Sequence, residues 1–240
     1  MQNIFHTFFY LPMFNFLVFL VDILPGGNIG LAVIILTILI KLILFPLSQK
    51  SIATQVKMRK IEPEMKKIKE KHKDQKEQAQ KIMELYKEHK LNPFSGCFLM
   101  LLQLPVIFAL YYVFLQGFKF DAVVLYSFVH IPETANTYFL GINLLGKSVV
   151  LALIAGASQY YQLRLAMPAV VPTEKGKEPT FQEEFTRNMT LQMKYIFPVM
   201  VFFIAYTISS AIALYWIVSN LFAIAQELYV RKTVTDLESK

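Results

Sequence analysis

The residue with the clearest chemical potential is Lys41, a lone charge inside the apolar run Gly30–Leu47. A charged side chain at the centre of a membrane span costs roughly 2.5 to 3.5 kcal/mol on insertion scales, so it ordinarily faces a polar cavity or a partner. Snorkelling is the competing reading, because Lys41 stands six residues from Leu47. Thr37, one helical turn earlier, and Ser48, two turns later, fall on the same face and favour a hydrated interior over snorkelling. Gln103, Ser158, Gln159, Ser219 and Asn220 add polar groups to other apolar runs. A span amide can simply join two helices, and Ser219 and Asn220 read more naturally as such joints than as reactive groups. Together these residues offer an intramembrane surface that can bind an anion or hydrate a polar segment.

Reaction chemistry finds little support. His6, His72, His89 and His130 lie at element ends or in loops, without ligand spacing, so no metal is expected. The single cysteine, Cys97, allows no intramolecular disulfide and no thiolate zinc site. No glycine-rich phosphate loop and no serine elbow is present, so no cofactor or nucleotide is expected. An intramembrane hydrolase would need a nucleophile beside Lys41, and the sequence nominates none.

The elements that would position these groups are helices of membrane length. Of the 240 residues 55% are hydrophobic, and about 20 mostly apolar residues cross the hydrocarbon layer. Residues 30–47, 94–115, 148–165, 195–207 and 211–230 read as five spans, with Gln103 and Pro105 inside the second. Residues 3–24, rich in phenylalanine but broken by His6, Pro12, Asn15 and Asp22, read as an interfacial helix; a span is the alternative. Tyr215-Trp216 has the composition of an interfacial aromatic belt, but it sits a turn inside the last span. Residues 50–90 hold 13 of the 24 basic residues with seven acidic ones. Met58, Ile61, Met65 and Ile68, then Ala79, Ile82, Met83 and Tyr86, recur at helical spacing, and Lys73-Asp74 separates the stripes. A charged helical hairpin follows. Its methionines are hairpin packing in the simpler reading, or a pliable apolar surface in the other. Residues 116–147 and 168–193 read as loops, the second flexible.

Charge placement predicts orientation. With the hairpin in the cytoplasm, that side collects 21 Lys and Arg, against Lys119 and Lys147 opposite and Lys41 within the membrane. The N-terminus is then outside and the C-terminus inside. The net charge of +7 suggests anionic lipid or a ribosome as partner rather than direct sequence-specific nucleic-acid binding. The extreme N-terminus lacks the basic region of a signal sequence and the Arg- and Ser-rich character of a transit peptide, so a bacterial plasma membrane is expected.

With these residues in place, the chain resembles the YidC/Oxa/Alb family of membrane protein insertases over residues 3–230. The resemblance rests on GLAVIILTILIKLILFPLSQKS for the first span and LYWIVSNLFAIAQELYV for the last. Between them lies KMRKIEPEMKKIKEKHKDQKEQAQKIMELYKEHKLNPFSGCFLMLLQLPVIFALYYVF, the hairpin and second span. It implies an all-α fold: five transmembrane helices around a hydrophilic groove open to cytoplasm and lipid, with an N-terminal interfacial helix and a cytoplasmic hairpin. It implies nascent membrane proteins as clients, with the Sec translocon and ribosome as possible partners. The groove residues would be Lys41, Thr37, Gln103, Ser158, Gln159, Ser219 and Asn220. Client or ribosome contact would fall to Met58, Met65, Lys67, Lys71, Lys73 and Met83. The family usually carries arginine where Lys41 stands; lysine keeps the charge and loses the bidentate fork. The usual proline-containing turn before the last span reads here Ser209-Ser210-Ala211. No large domain before the first span, no lipoprotein cysteine and no long basic tail are expected. A solute transporter or channel using the same groove is the chief rival, although no internal repeat supports it. A structural assembly factor is another.

Overall fold

Where the chain can be helical it is, and its breaks fall where proline, glycine or a polar cap forces them. The computed structural model describes residues 4–72, 74–92, 95–115, 125–167 and 181–238. Helix α1 (Leu11–Ile23) is entered through a π-helical turn, His6–Tyr10. That turn ends two residues before Pro12, whose ring cannot donate and crowds the carbonyl four residues back; the wider turn relieves the clash. The same device recurs before Pro198. There α8 (Phe181–Leu191) passes through a π turn, Gln192–Ile196, into α9 (Phe197–Ile208). The polar loop expected to run to Met193 is thus helical from Phe181 onward. Phe181, Phe185 and Met189 recur at helical spacing there, following Pro179, and this pattern outweighs the polar composition.

Helix α2 (Ile29–Ile43) starts on Asn28, whose Oδ1 accepts from the Leu31 amide at 3.0 Å. It stops at Leu44, two residues before Pro46, and α3 (Phe45–Lys60) continues at an angle of 62°. Helices α4 (Glu62–Lys71) and α5 (Gln75–Glu88) form a hairpin. Ile61, Leu85 and Leu91 make its small core, with Met58, Met65, Ile68 and Tyr86 packed around them. Met58 and Met65 therefore help hold the hairpin together, whereas Met83, Lys67 and Lys71 are exposed. Lys73 lies outside the described residues.

Helix α6 (Ser95–Leu115) contains Pro105, and α7 (Val149–Ala166) is capped by Ser148. The chain turns at Ser209, in extended backbone, into α10 (Ser210–Glu238). By length and composition, three helical stretches among the described residues could cross a membrane: His6–Ile23, Arg187–Ile208 and Ser210–Val234. The bent pair α2–α3 makes a fourth. Helix α7 has the length, but its second half carries Gln159, Gln162 and Arg164. Helix α10 is the central post, packed most extensively on α7 and α2 and further along on α3. The main apolar core joins α1, α2, α6, α7, α9 and α10 through residues such as Phe14, Val18, Val33, Leu110, Ala155, Val201 and Leu214.

At the end of the helices remote from the hairpin, residues 125–147 lace the bundle together. Strands β1 (Tyr138–Phe139) and β2 (Ile142–Asn143) pair antiparallel across Leu140-Gly141, both at positive φ, as a two-residue hairpin turn requires. The Ile29 amide donates to Asn136 O at 3.1 Å, and the Asn136 amide to Gly27 O at 2.9 Å. The Ser210 amide donates to Gly146 O at 2.8 Å and the Ala211 amide to Leu144 O at 3.0 Å. Glycine at 30 allows the close approach, because a Cβ there would overlap the Phe139 ring. Gly30→Ala should therefore destabilise the loop-to-helix packing by about 1–3 kcal/mol. A lower thermal midpoint in detergent would register it; an unchanged midpoint would mean that Phe139 contributes nothing to holding this end closed.

Candidate functional site

Polar side chains from four helices meet inside the apolar bundle, along two hydrogen-bonded lines that share α10. The first begins at Lys41, two residues before the end of α2. Its Nζ donates to Gln103 Oε1 on α6 at 3.3 Å. Gln103 Nε2 donates to the Tyr215 hydroxyl on α10 at 2.6 Å, and that hydroxyl is also bonded to Ser219, one turn along the same helix. An ammonium has only N–H groups to offer, so the Gln103 carbonyl must face it and the amide N–H must face Tyr215. The Tyr215 hydroxyl thus accepts from Gln103, with Ser219 beside it. Both donors, the Lys41 ammonium and the Gln103 amide, point away from Lys41, so the first bond polarises the second. Among the described residues, no carboxylate lies within ion-pair distance of Lys41.

The second line joins α10 to α7. Asn220 Nδ2 donates to Ser158 Oγ at 3.0 Å, and Ser158 Oγ donates to the Ala155 carbonyl at 2.9 Å. Ser219 and Asn220, adjacent in sequence, thus serve different lines, and both are buried. Gln159 is buried on α7 but bonds along its own helix, donating to Gln162 Oε1 at 3.2 Å. Thr37 is 1% exposed and satisfies its hydroxyl on the Val33 carbonyl at 2.6 Å. It shares Lys41's face without touching the network.

Several participants escaped sequence reasoning. The sequence left Tyr215 between an interfacial belt and a place inside the span; its ring is buried and its hydroxyl holds Gln103 in register. The signal was the three- and four-residue spacing of Tyr215, Ser219, Phe222 and Gln226 along one face of α10. Gln226 Nε2 donates to Ser48 Oγ at 2.6 Å and to the Phe45 carbonyl at 3.2 Å, joining the α2–α3 bend to α10. Nearer the hairpin, the guanidinium groups of Arg59 and Arg231 both donate to the Leu165 carbonyl, and Arg59 donates also to Ala166 O. Two cations thus cover the carbonyls at the C-terminus of α7, where the helix dipole is negative. Buried Glu227 accepts from Arg231 Nε at 2.8 Å and supplies a counter-charge. Among the described residues no cluster of metal-ligating side chains occurs.

A bent, charged hairpin root beside a bundle of apolar helices, with one cation and several amides and hydroxyls bonded inside it, describes an all-α membrane protein with a polar interior. The chain belongs to the family described as 60Kd inner membrane protein, which it matches over residues 20–237. It is 35% identical over 229 residues to the membrane protein insertase YidC of Fusobacterium nucleatum, covering 94% of this chain and 98% of that one. The YidC of Clostridium tetani is also 35% identical, over 87% of this chain and 84% of its own. The YidC of Pelobacter propionicus is 34% identical over 88% of this chain, which spans only 36% of that longer relative. A crystal structure of an active YidC insertase shares the fold, with a TM-score of 0.57 at 23% identity over 93% of this chain and 46% of that one. Family and apolar helices together identify a multi-pass protein of the bacterial inner membrane.

The Gln226 contacts predict a local effect. Gln226→Leu removes one donor each from the Ser48 hydroxyl and the Phe45 carbonyl, which keeps the Ser48 hydroxyl as a donor at 3.0 Å, a loss of about 1 kcal/mol. Amide exchange around residues 44–48 should quicken in detergent. Unaltered exchange would mean that Pro46 alone holds the bend.

Proposed function

We propose that this protein is a non-enzymatic membrane protein insertase. In this reading it inserts nascent membrane proteins through a hydrated intramembrane groove, alone or beside the Sec translocon. The observation that carries it is Lys41, a cation within apolar helices whose acceptor is a neutral amide. The names of the relatives describe insertion of membrane proteins and no chemical reaction. Five helices span the membrane in this reading: α2, α6, α7, α9 and α10. Helix α1 lies along the outer interface, the N-terminus is outside and the C-terminus cytoplasmic. Support for the orientation is the concentration of Lys and Arg on the hairpin side. The laced loop of residues 125–147 closes the outer end, and the bend at Leu44 opens the groove toward the cytoplasm and the hairpin.

Lys41 attracts an acidic or polar group of the client's translocated tail, with Gln103, Tyr215, Ser219, Ser158, Asn220, Gln159 and Thr37 keeping the groove polar. Hydration there lowers the cost of carrying such groups partway across. The client's apolar segment then passes sideways into lipid, where burial at roughly 25 cal/mol per Å² drives completion. Energy comes from partitioning, the membrane potential and translation. Exposed Lys67, Lys71 and Met83 give the hairpin a surface for clients, the ribosome or anionic lipid headgroups, and the hairpin acts as a lid.

Purified protein in protein-free liposomes, with a single-span client synthesised alongside, provides the test. Protease protection of an acidic translocated tail should depend on the protein and fall severalfold with Lys41→Ala. Protection that depends on the protein but is indifferent to Lys41→Ala would remove the lysine from the mechanism. No dependence across several clients would remove the unaided insertase.

A further inference from the structure

The identity of Lys41's partner has a consequence of its own. A cation taken out of water is compensated fully only by an opposite charge with good hydrogen bonds. Here the acceptor is an amide oxygen at 3.3 Å, near the long end for a hydrogen bond. Carboxylates exist in the bundle: Glu227 is buried on α10, but it is bonded to Arg231, toward the hairpin. Among the described residues the charge at 41 has no carboxylate partner.

Gln103 cannot wander from this position. Its amide is held from behind by the 2.6 Å bond to Tyr215, whose hydroxyl is buried and bonded in turn to Ser219. The carbonyl is therefore presented to Lys41 at fixed orientation, and two of the three ammonium N–H groups are left for other acceptors. An arriving carboxylate would gain a charge-assisted bond, roughly twice as strong as a neutral one, and would outcompete the amide. A neutral tail has no such advantage over the amide already in place.

We infer that Gln103, positioned by Tyr215, is a displaceable neutral ligand that holds Lys41 without neutralising it and so preserves the groove's selection of acidic over neutral client tails. Resting on the insertase reading, this names the position whose neutrality keeps the Lys41 charge available. The amide holds the lysine side chain in the groove between clients without neutralising it. A carboxylate at 103 would neutralise it permanently, and the groove would lose its preference while keeping its polarity.

The test compares two clients in the same liposomes, identical except for an acidic or a neutral translocated tail, and reads the ratio of their protected fractions. Gln103→Glu should lower the acidic-to-neutral ratio about tenfold, toward that of Lys41→Ala, the factor that ~1.4 kcal/mol represents. Gln103→Leu, which removes the competing acceptor without adding charge, should keep the ratio at or above that of the parent protein. A Gln103→Glu ratio equal to the parent's, with Lys41→Ala still reducing it, would overturn the inference. So would a Gln103→Leu ratio as low as that of Lys41→Ala, because Gln103 would then be needed for capture and not displaced by it. Should Gln103→Glu fail to insert either client, the leucine variant decides alone. A ratio unmoved by Lys41→Ala would instead dismiss the parent reading of the groove.

Discussion

One positive charge kept among apolar helices is the constraint around which the rest of this molecule is arranged. An ammonium in that setting demands acceptors, and the bundle supplies them from other helices, so that α2, α6 and α10 are bound together through Lys41, Gln103, Tyr215 and Ser219. The line also keeps the polar groups on the inner faces, leaving the outer faces of the helices to lipid. Residues such as Leu42, Ile43, Phe108, Phe203 and Leu221 are exposed accordingly. Large exposed apolar surface would be a liability in water, yet it is what the bilayer calls for.

The two ends of the bundle are built by different physics. The loop end is fixed by main-chain pairing and by glycines that permit close approach. The hairpin end is fixed by polar and charged side chains: Gln226 on the bend, and Arg59, Arg231 and Glu227 around the last turn of α7. Pro46 forces the break that gives α3 its own direction, and α3 leads straight into the hairpin. Ile52 and Val56 of α3 then pack on Val230 and Val234 of α10. The root of the hairpin is in this way packed on the helix that carries half the polar network.

Much of this was legible in the sequence. Polar residues inside apolar runs announce themselves, which is why Lys41, Gln103, Ser158, Ser219 and Asn220 could be singled out. Ser158 meets Asn220 across two helices and Lys41 meets Gln103 across two others. Sequence could not reveal that Thr37 would turn back on its own backbone, nor that Gln159 would bond to Gln162, because rotamers decide between a neighbouring helix and the home helix. Tyr215 could not be placed from sequence, because an aromatic residue a turn inside a span's end suits the interface and the interior alike. Arg59, Arg231 and Gln226 were invisible for a different reason: their partners are carbonyls and a hydroxyl brought near by a bend of 62°, and no local pattern encodes that angle.

The lacing of the loop end runs through main-chain atoms, which every amino acid carries alike. Apart from the few glycines, side chains there can drift without unpicking it. By entrusting this end of the bundle to backbone instead of side chains, the fold puts its seam where point mutations have least purchase.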